Sequence, residues 1–407
     1  MQQQHSSDQE LIVPRSLLQL DAARKRFGEQ KVQLLIELMY TGDARADAVL
    51  QELEELGPEA SRQLQAGIIQ GLASLDNPTP AVRTFFEEAE CVPAWVDQEC
   101  LQRGSTASLS IGNLWISLSL GPGSLTHTYS SPSIARILVR TGNLAKMAGR
   151  RLMETGNWHI SALMPGGLQR GAPGYVQTLQ VRLLHARVRT TLLKRGWDSN
   201  QAGLPINQVE LVRTWLDFTY VPFHALQQLG ITYTQAELHD LYHFWQYIAY
   251  LLGIDERIYR PILDQRSAQE LLELIDSTTE GANEDSKVLV QAMLQALAEF
   301  LVLKLPISVR FDLGSALTRR LHGNKLANQL GIKRTWISAL MPLILLANRL
   351  QRAWDQRSPA AVQRAVARTI KAFELFPPLD GSTAFQRATS DPTQQELPQT
   401  PAVLAGD

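Results

Sequence analysis

The chain has 407 residues, of which 44% are hydrophobic, and its 39 basic and 40 acidic side chains leave a formal net charge of −1. That is enough apolar material for a sizeable core, and it offers no global drive toward nucleic acid or an anionic membrane. Cys91 and Cys100 stand nine apart without CxxC spacing, which argues against a disulfide scaffold or a cysteine zinc site and suits a reducing, cytoplasmic compartment.

Met1–Pro14 is polar and Gln-rich, with no basic-then-apolar leader, so it reads as a disordered N-terminus and not as a secretory signal. Arg15–Leu75 carries repeated helical patterns, and Asp76–Pro80 is a turn before a helix that starts near Ala81. Trp95–Asp97 opens another helix. Ser105–Leu120 reads as a buried helix that breaks at Gly121-Pro122-Gly123 into a loop reaching Ser133, with a strand as the alternative. Ser133–Thr155 gives one or two helices, and the glycine-rich stretch Gly166–Gly174 precedes a long helix around Val181–Arg189. Further helices are expected over Asn207–Tyr220, Thr234–Leu252, Ala268–Ile275, Ser286–Leu305, Val309–Leu321, Thr335–Gln356 and Pro359–Phe373. The apolar run Ile337–Leu350 is too short for a membrane span and contains Pro342. From Pro377 the Pro-, Thr-, Gln- and Ser-rich composition reads as a disordered tail. The fold class is therefore all-α, with one large helical domain over residues 15–375 and a tail over 376–407.

The helix around Val181–Arg189 is unusual. At the helical period its apolar residues split into two arcs, Val181, Leu184, Val188 and Leu192 on one side and Leu179, Leu183, Ala186 and Leu193 on the other. Between them runs a narrow polar stripe of Arg182, His185 and Arg189. A helix with two apolar flanks is mostly buried, so this stripe must be satisfied from inside the protein. Two guanidiniums beside an imidazole ask for an anion with a place for a ligating nitrogen, and a b-type haem with its propionates and open iron fits. The plainer readings are a packed histidine, solvated arginines or a phosphate site. Upstream, Arg151 and Thr155 intrude on the apolar face made by Leu144, Met147, Ala148 and Leu152. A snorkelling or paired arginine is one explanation, and a polar wall to a cavity that orients dioxygen or substrate is the other.

These motifs together resemble the family of haem-dependent latex-clearing rubber oxygenases and MpaB-type oxygenases. The resemblance rests on Trp95–Asp97, on Arg151, Thr155 and Gly156 (Arg-x-x-x-Thr-Gly), and on Leu184–Arg189 (Leu-His-Ala-x-Val-Arg). It continues through Ile206–Gln208 and the helix ending Leu251-Leu-Gly-Ile254, and is strongest over residues 90–265. It implies a globin-like helical core holding haem b, with His185 as axial iron ligand and Arg189 as a cation beside the haem. Arg151 and Thr155 would line the pocket as catalytic residues, and Thr214 is the match to a further pocket threonine. Dioxygen would be the co-substrate, adding across a carbon–carbon double bond of an apolar, isoprenoid- or lipid-like substrate.

Two positions depart from the rubber-oxygenase pattern. Glu154 stands where that pattern has a lysine able to cap the iron, and Ser130–Arg136 lacks the acidic residue proposed there as a base. The rival readings are a non-catalytic helical interaction protein, or a metal-dependent hydrolase using His239 and His243, whose His-Asp-Leu-Tyr-His spacing imitates a zinc motif. Both histidines lie off the core face of their helix, and no third ligand is evident. The basic cluster Arg319, Arg320, His322 and Lys325 reads as a solvated surface or a partner site.

Overall fold

The computed structural model describes residues 12–141, 144–301 and 303–374, and of the side chains at 58–60, 139–148, 150, 151 and 374 nothing is said. No strand occurs among the described residues. An N-terminal layer contains α1 (Leu20–Phe27), α2 (Glu29–Met39), α3 (Ala44–Leu56), α4 (Pro58–Gln70) and α5 (Pro80–Glu90). Then come α6 (Gln98–Leu109), α7 (Asn113–Leu118), a wide π-turn over Ser119–Leu125, α8 (Thr126–Tyr129) and α9 (Pro132–Thr141). The centre holds α10 (Leu144–Leu163), α11 (Pro173–Lys194), α12 (Ser199–Ala202), α13 (Gln208–Leu216), α14 (Tyr220–Gln228) and α15 (Gln235–Leu251). The remainder is α16 (Glu256–Tyr259), α17 (Gln265–Ser277), α18 (Glu284–Phe300), α19 (Ile307–Gln329), α20 (Met341–Asp355) and α21 (Pro359–Glu374).

Helix ends follow side-chain chemistry. Asp43, Thr79, Asp97, Asn207, Thr234 and Asp264 each accept a backbone N–H in the first turn of the helix they precede. The main apolar core takes in residues from Ala23 in α1 to Phe373 in α21, and in it Phe218 stacks on Trp245 while Trp158 meets both rings edge-on. α15 packs along α6, and α10 packs on both α11 and α18. The α10–α11 pair is antiparallel, pinned where Trp158 Nε1 donates to Thr178 Oγ1 (2.9 Å). The chain reverses tightly there because Gly174 lies against α10, where a Cβ would stand 2.5 Å from Ala162 Cα.

The expected break at Gly121-Pro122-Gly123 does not open into a loop. The chain continues as the π-turn and α8, because small residues let neighbouring helices close on it: a Cβ at Gly121 would meet Leu297. The alternation of Ser105–Leu120 belongs to helices and not to a strand. The helix expected over Thr335–Gln356 divides into a short 3-10 turn, Trp336–Leu340, and α20. The one expected over Val309–Leu321 extends to Gln329 through a kink at Gly323. Pro14, assigned to a disordered start, is buried, and the Leu17 amide donates to its carbonyl. Residues 1–11 and the expected tail from Pro377 lie outside the described residues.

Candidate active site around His185

α11 carries its polar stripe inward, and the anions that meet it come from the chain itself. Arg182 grips Asp43 with two bonds (Nε–Oδ2 2.6 Å, Nη2–Oδ1 3.0 Å) and reaches Glu88 Oε1 at 2.8 Å. Arg189 donates to Asp47 Oδ1 (2.6 Å) and to the Ile206 carbonyl (2.9 Å). This corrects the expectation that the two guanidiniums call for an outside anion. Asp43 and Asp47 sit one turn apart at the start of α3, on one face, and that spacing was the available signal for them.

The remaining motif residues brace these pairs. Gly253, at φ 69°, passes so close that a Cβ there would lie 2.4 Å from both Arg182 Nε and Asp43 Oδ2. Gln208 Nε2 donates to the carbonyls of Gly42 and Gly253 (2.8 and 3.0 Å), while its Oε1 accepts the Asp255 amide (2.8 Å). Asn207, fully buried, caps α13. Ile-Asn-Gln and Leu-Leu-Gly-Ile therefore form a clasp around the two arginines.

His185 lies between these arginines. Its Nδ1 is buried and makes no hydrogen bond. Burial, reinforced by the nearby Arg189 cation and opposed by Asp43, pushes its pKa down to about 4, so the ring is neutral at ordinary pH with a free lone pair. A neutral imidazole without a protein partner, wedged among packed helices, is a fit donor for a metal ion such as haem iron.

α10 forms the facing wall. Counting back from the Trp158–Thr178 bond along the antiparallel pair puts residue 151 level with His185 and Thr155 about one turn away. Thr155 is half-buried, and the Arg151 side chain lies outside the described residues. Thr214 is on α13, where its hydroxyl donates back to the Glu210 carbonyl (2.9 Å), a bond within its own helix. His159, one turn beyond Thr155, was not anticipated. It is buried and stacked against Phe218 and Trp245, and burial lowers its pKa to about 4.

Glu210 was also missed. Its Oε2 accepts the Ile206 amide (2.8 Å), its Oε1 is buried without a partner, and Ser133 bonds to its side chain. Burial raises its pKa to about 7 against the pull of those bonds and of Arg189. It lines a cavity of about 40 Å³ with Ser131, Ser133, Arg136 and Arg213. A second cavity, about 530 Å³, lies at the other end of α11 beside Gly166, Gly167 and Tyr175. Neither includes His185, whose flank toward residues 139–151 is mostly outside the described side chains.

A buried charged network links α8, α13 and α17. His127 bonds Asp217 through Nδ1 (2.6 Å) and Asp276 through Nε2 (2.9 Å), and Thr128 donates to Asp217 Oδ2 (2.6 Å). Burial and Arg213 pull the His127 pKa down, but the two carboxylates outweigh them and raise it to about 9.

The rival metal site does not form. His243 Nε2 accepts the Asp97 amide (2.9 Å), which explains the Trp-Val-Asp turn, and Trp95 packs edge-on against the His243 ring. His239 instead lies near Cys100 and Asp240, where Arg103 already donates to both Asp240 oxygens and to Cys100 Sγ. The basic cluster is split: Arg320 and Lys325 are exposed, as a solvated surface requires, whereas the other two members turn inward. Arg319 is buried and bonds the Ile332 carbonyl and Asn328, and His322 bonds the carbonyls of Pro122 and Gly123.

Residues 110–368 match the family model described as the ER-bound oxygenase mpaB/B′ and rubber oxygenase catalytic domain. A rubber oxygenase from Streptomyces sp. (strain K30) is 25% identical over 300 residues, covering 70% of this chain and 67% of that protein. The solved structure of latex clearing protein in its closed state superposes with a TM-score of 0.63 at 22% identity, over 84% of this chain and 92% of the other. That likeness shows the shared all-α fold, and the family match extends over well more than half of the chain. The protein thus belongs to the MpaB and rubber oxygenase family, and is an oxidoreductase of the oxygenase class.

Proposed function

We propose that the protein is a haem b-dependent oxygenase that uses dioxygen to oxidise or cleave a carbon–carbon double bond of an apolar, isoprenoid- or lipid-like substrate. The observation that carries this reading is His185, a half-buried neutral imidazole whose Nδ1 is buried and unpartnered, on the helix with the Leu-His-Ala-x-Val-Arg motif. A bound haem would supply dioxygen activation. The protein's own residues do the rest. The Arg182 and Arg189 ion pairs lock α11 onto α3 and α5, and the Arg189 charge helps keep His185 unprotonated and able to ligate. Arg151 and Thr155, from the facing helix, are proposed to orient oxygen or substrate. Glu210 is proposed to hold or release a proton at Oε1 near neutral pH, beside the Ser130–Arg136 segment that lacks an acid of its own. The two free cysteines suit the cytoplasm as the proposed site of action.

The test is haem loading followed by absorption spectroscopy. Wild type should take up haem with a Soret band, His185→Ala should lose it, and His239→Ala, His243→Ala and His159→Ala should keep it. Equal haem content in His185→Ala would end the assignment.

A further inference from the structure

α20 buries a mixed face, where Ile344 and Leu345 pack beside polar anchors, and leaves an apolar face bare. Met341, Asn348 and Arg352 turn inward, with Arg352 bonded to the Thr232 carbonyl, Ser110 and Glu237. On the helical wheel Leu343, Leu346, Leu350 and Trp354 fall within one arc on the far side. They are bare: relative exposures are 65%, 55%, 64% and 58%. Trp336, in the 3-10 turn that leads into α20, is also bare at 61% exposure. A stretch of large apolar side chains this continuous marks a contact surface and not ordinary surface scatter.

Charge identifies the partner. Between Lys333 and Lys371 the chain carries eight lysines and arginines against the single acid Asp355; Arg352 turns inward onto Glu237 and Arg368 pairs with Asp355, and the rest are not so paired among the described residues. Lys333, Arg334, Arg349 and Arg357 are exposed, and no carboxylate lies within ion-pair distance of them among the described residues. Arg357 stacks over the Trp354 ring (4.5 Å). A leucine stripe ending in Trp354, with Trp336 bare in the preceding turn and an unneutralised basic rim, matches the headgroup region of an anionic bilayer. A second copy fits poorly, since two-fold pairing through this face would set one basic rim against another.

We propose that α20 and the preceding Trp336 turn form a peripheral docking face for an anionic lipid bilayer. No helix among the described residues is long and apolar enough to cross a membrane, so this contact is interfacial. A substrate of the proposed kind would dissolve in such a bilayer, but the docking does not depend on that reading and is measured without haem or turnover.

The experiment is flotation of the full-length protein with phosphatidylcholine vesicles, with and without phosphatidylglycerol, at low and high salt. Wild type should float with the anionic vesicles, roughly tenfold less with neutral ones, and should be released by salt. Leu343→Asp with Leu350→Asp should reduce binding roughly tenfold or more, and Arg349→Glu with Arg357→Glu should remove the preference for anionic lipid. All four positions are exposed, and circular dichroism checks that the helices persist. Absence of binding to anionic vesicles would overturn the proposal, as would binding indifferent to the leucine substitutions. So would a wild-type dimer that the leucine variant converts to monomer without any vesicle binding.

Discussion

His185 is kept neutral by burial and a neighbouring cation, and two ion pairs hold that cationic neighbourhood in place. Their exposures separate the two pairs. Arg182 and Asp43 are 2% and 5% exposed, whereas Asp47, the partner of Arg189, is 33% exposed. Arg182→Leu strands a carboxylate with no access to water and should cost about 3–5 kcal/mol, read by chemical denaturation. Arg189→Leu leaves an acid that water can reach and should cost about 2 kcal/mol or less. The reverse order would mean that a contact other than Asp47 dominates the energetics of Arg189. Glu210 gives a pH signature. Its folded pKa is raised from 4.5 to about 7, so the stability of the protonated form is complete below about pH 4.5 and is lost as the pH rises through about 7. Glu210→Gln should remove that loss, on the order of 3 kcal/mol by pH 8, and a parallel pH–stability curve for the variant would refute the assignment.

At the scale of elements, the antiparallel α10–α11 pair brings residue 151 to the level of His185 and Thr155 about one turn away, while the proposed iron ligand and its two flanking arginines sit on α11. Thr155→Ala should therefore retain haem while altering turnover or oxygen reactivity. Loss of haem with normal oxygen chemistry would show that Thr155 serves retention instead. The π-turn and α8 are tied to α13 and α17 through His127, whose folded pKa of about 9 exceeds its ordinary 6.5. The stability from that junction is complete below about pH 6.5 and is lost as the pH rises through about 9. His127→Gln should flatten the decline across that window, measured as the urea midpoint against pH. This junction was hard to read in advance, because Gly121-Pro122-Gly123 carries a strong local breaking signal. Packing against α14, α18 and α19 overrides it, and nothing in the segment itself records those neighbours.

For the whole molecule, the main core runs from α1 to α21 and includes Leu179, Leu183 and Ala186 of α11, so a ligand bound only by the native state beside α11 stabilises the fold as a whole. Haem at a hundredfold excess over its Kd should add about 2.7 kcal/mol to wild type and nothing to His185→Ala. An equal rise in melting temperature for both proteins would place the binding elsewhere. What the sequence alone determined was the helical class, most helix positions, the inward polar stripe of α11 and His185 as its centre, because period and capping are local properties of the chain. The tertiary structure decided what meets that stripe. Arg182 finds Asp43 139 residues away, Glu210 comes to rest beside Ser133, and His243 gives its lone pair to the Asp97 amide. A helical pattern states which face is buried and how polar it is, but the group that satisfies it comes from a distant segment, and only the folded chain selects that segment.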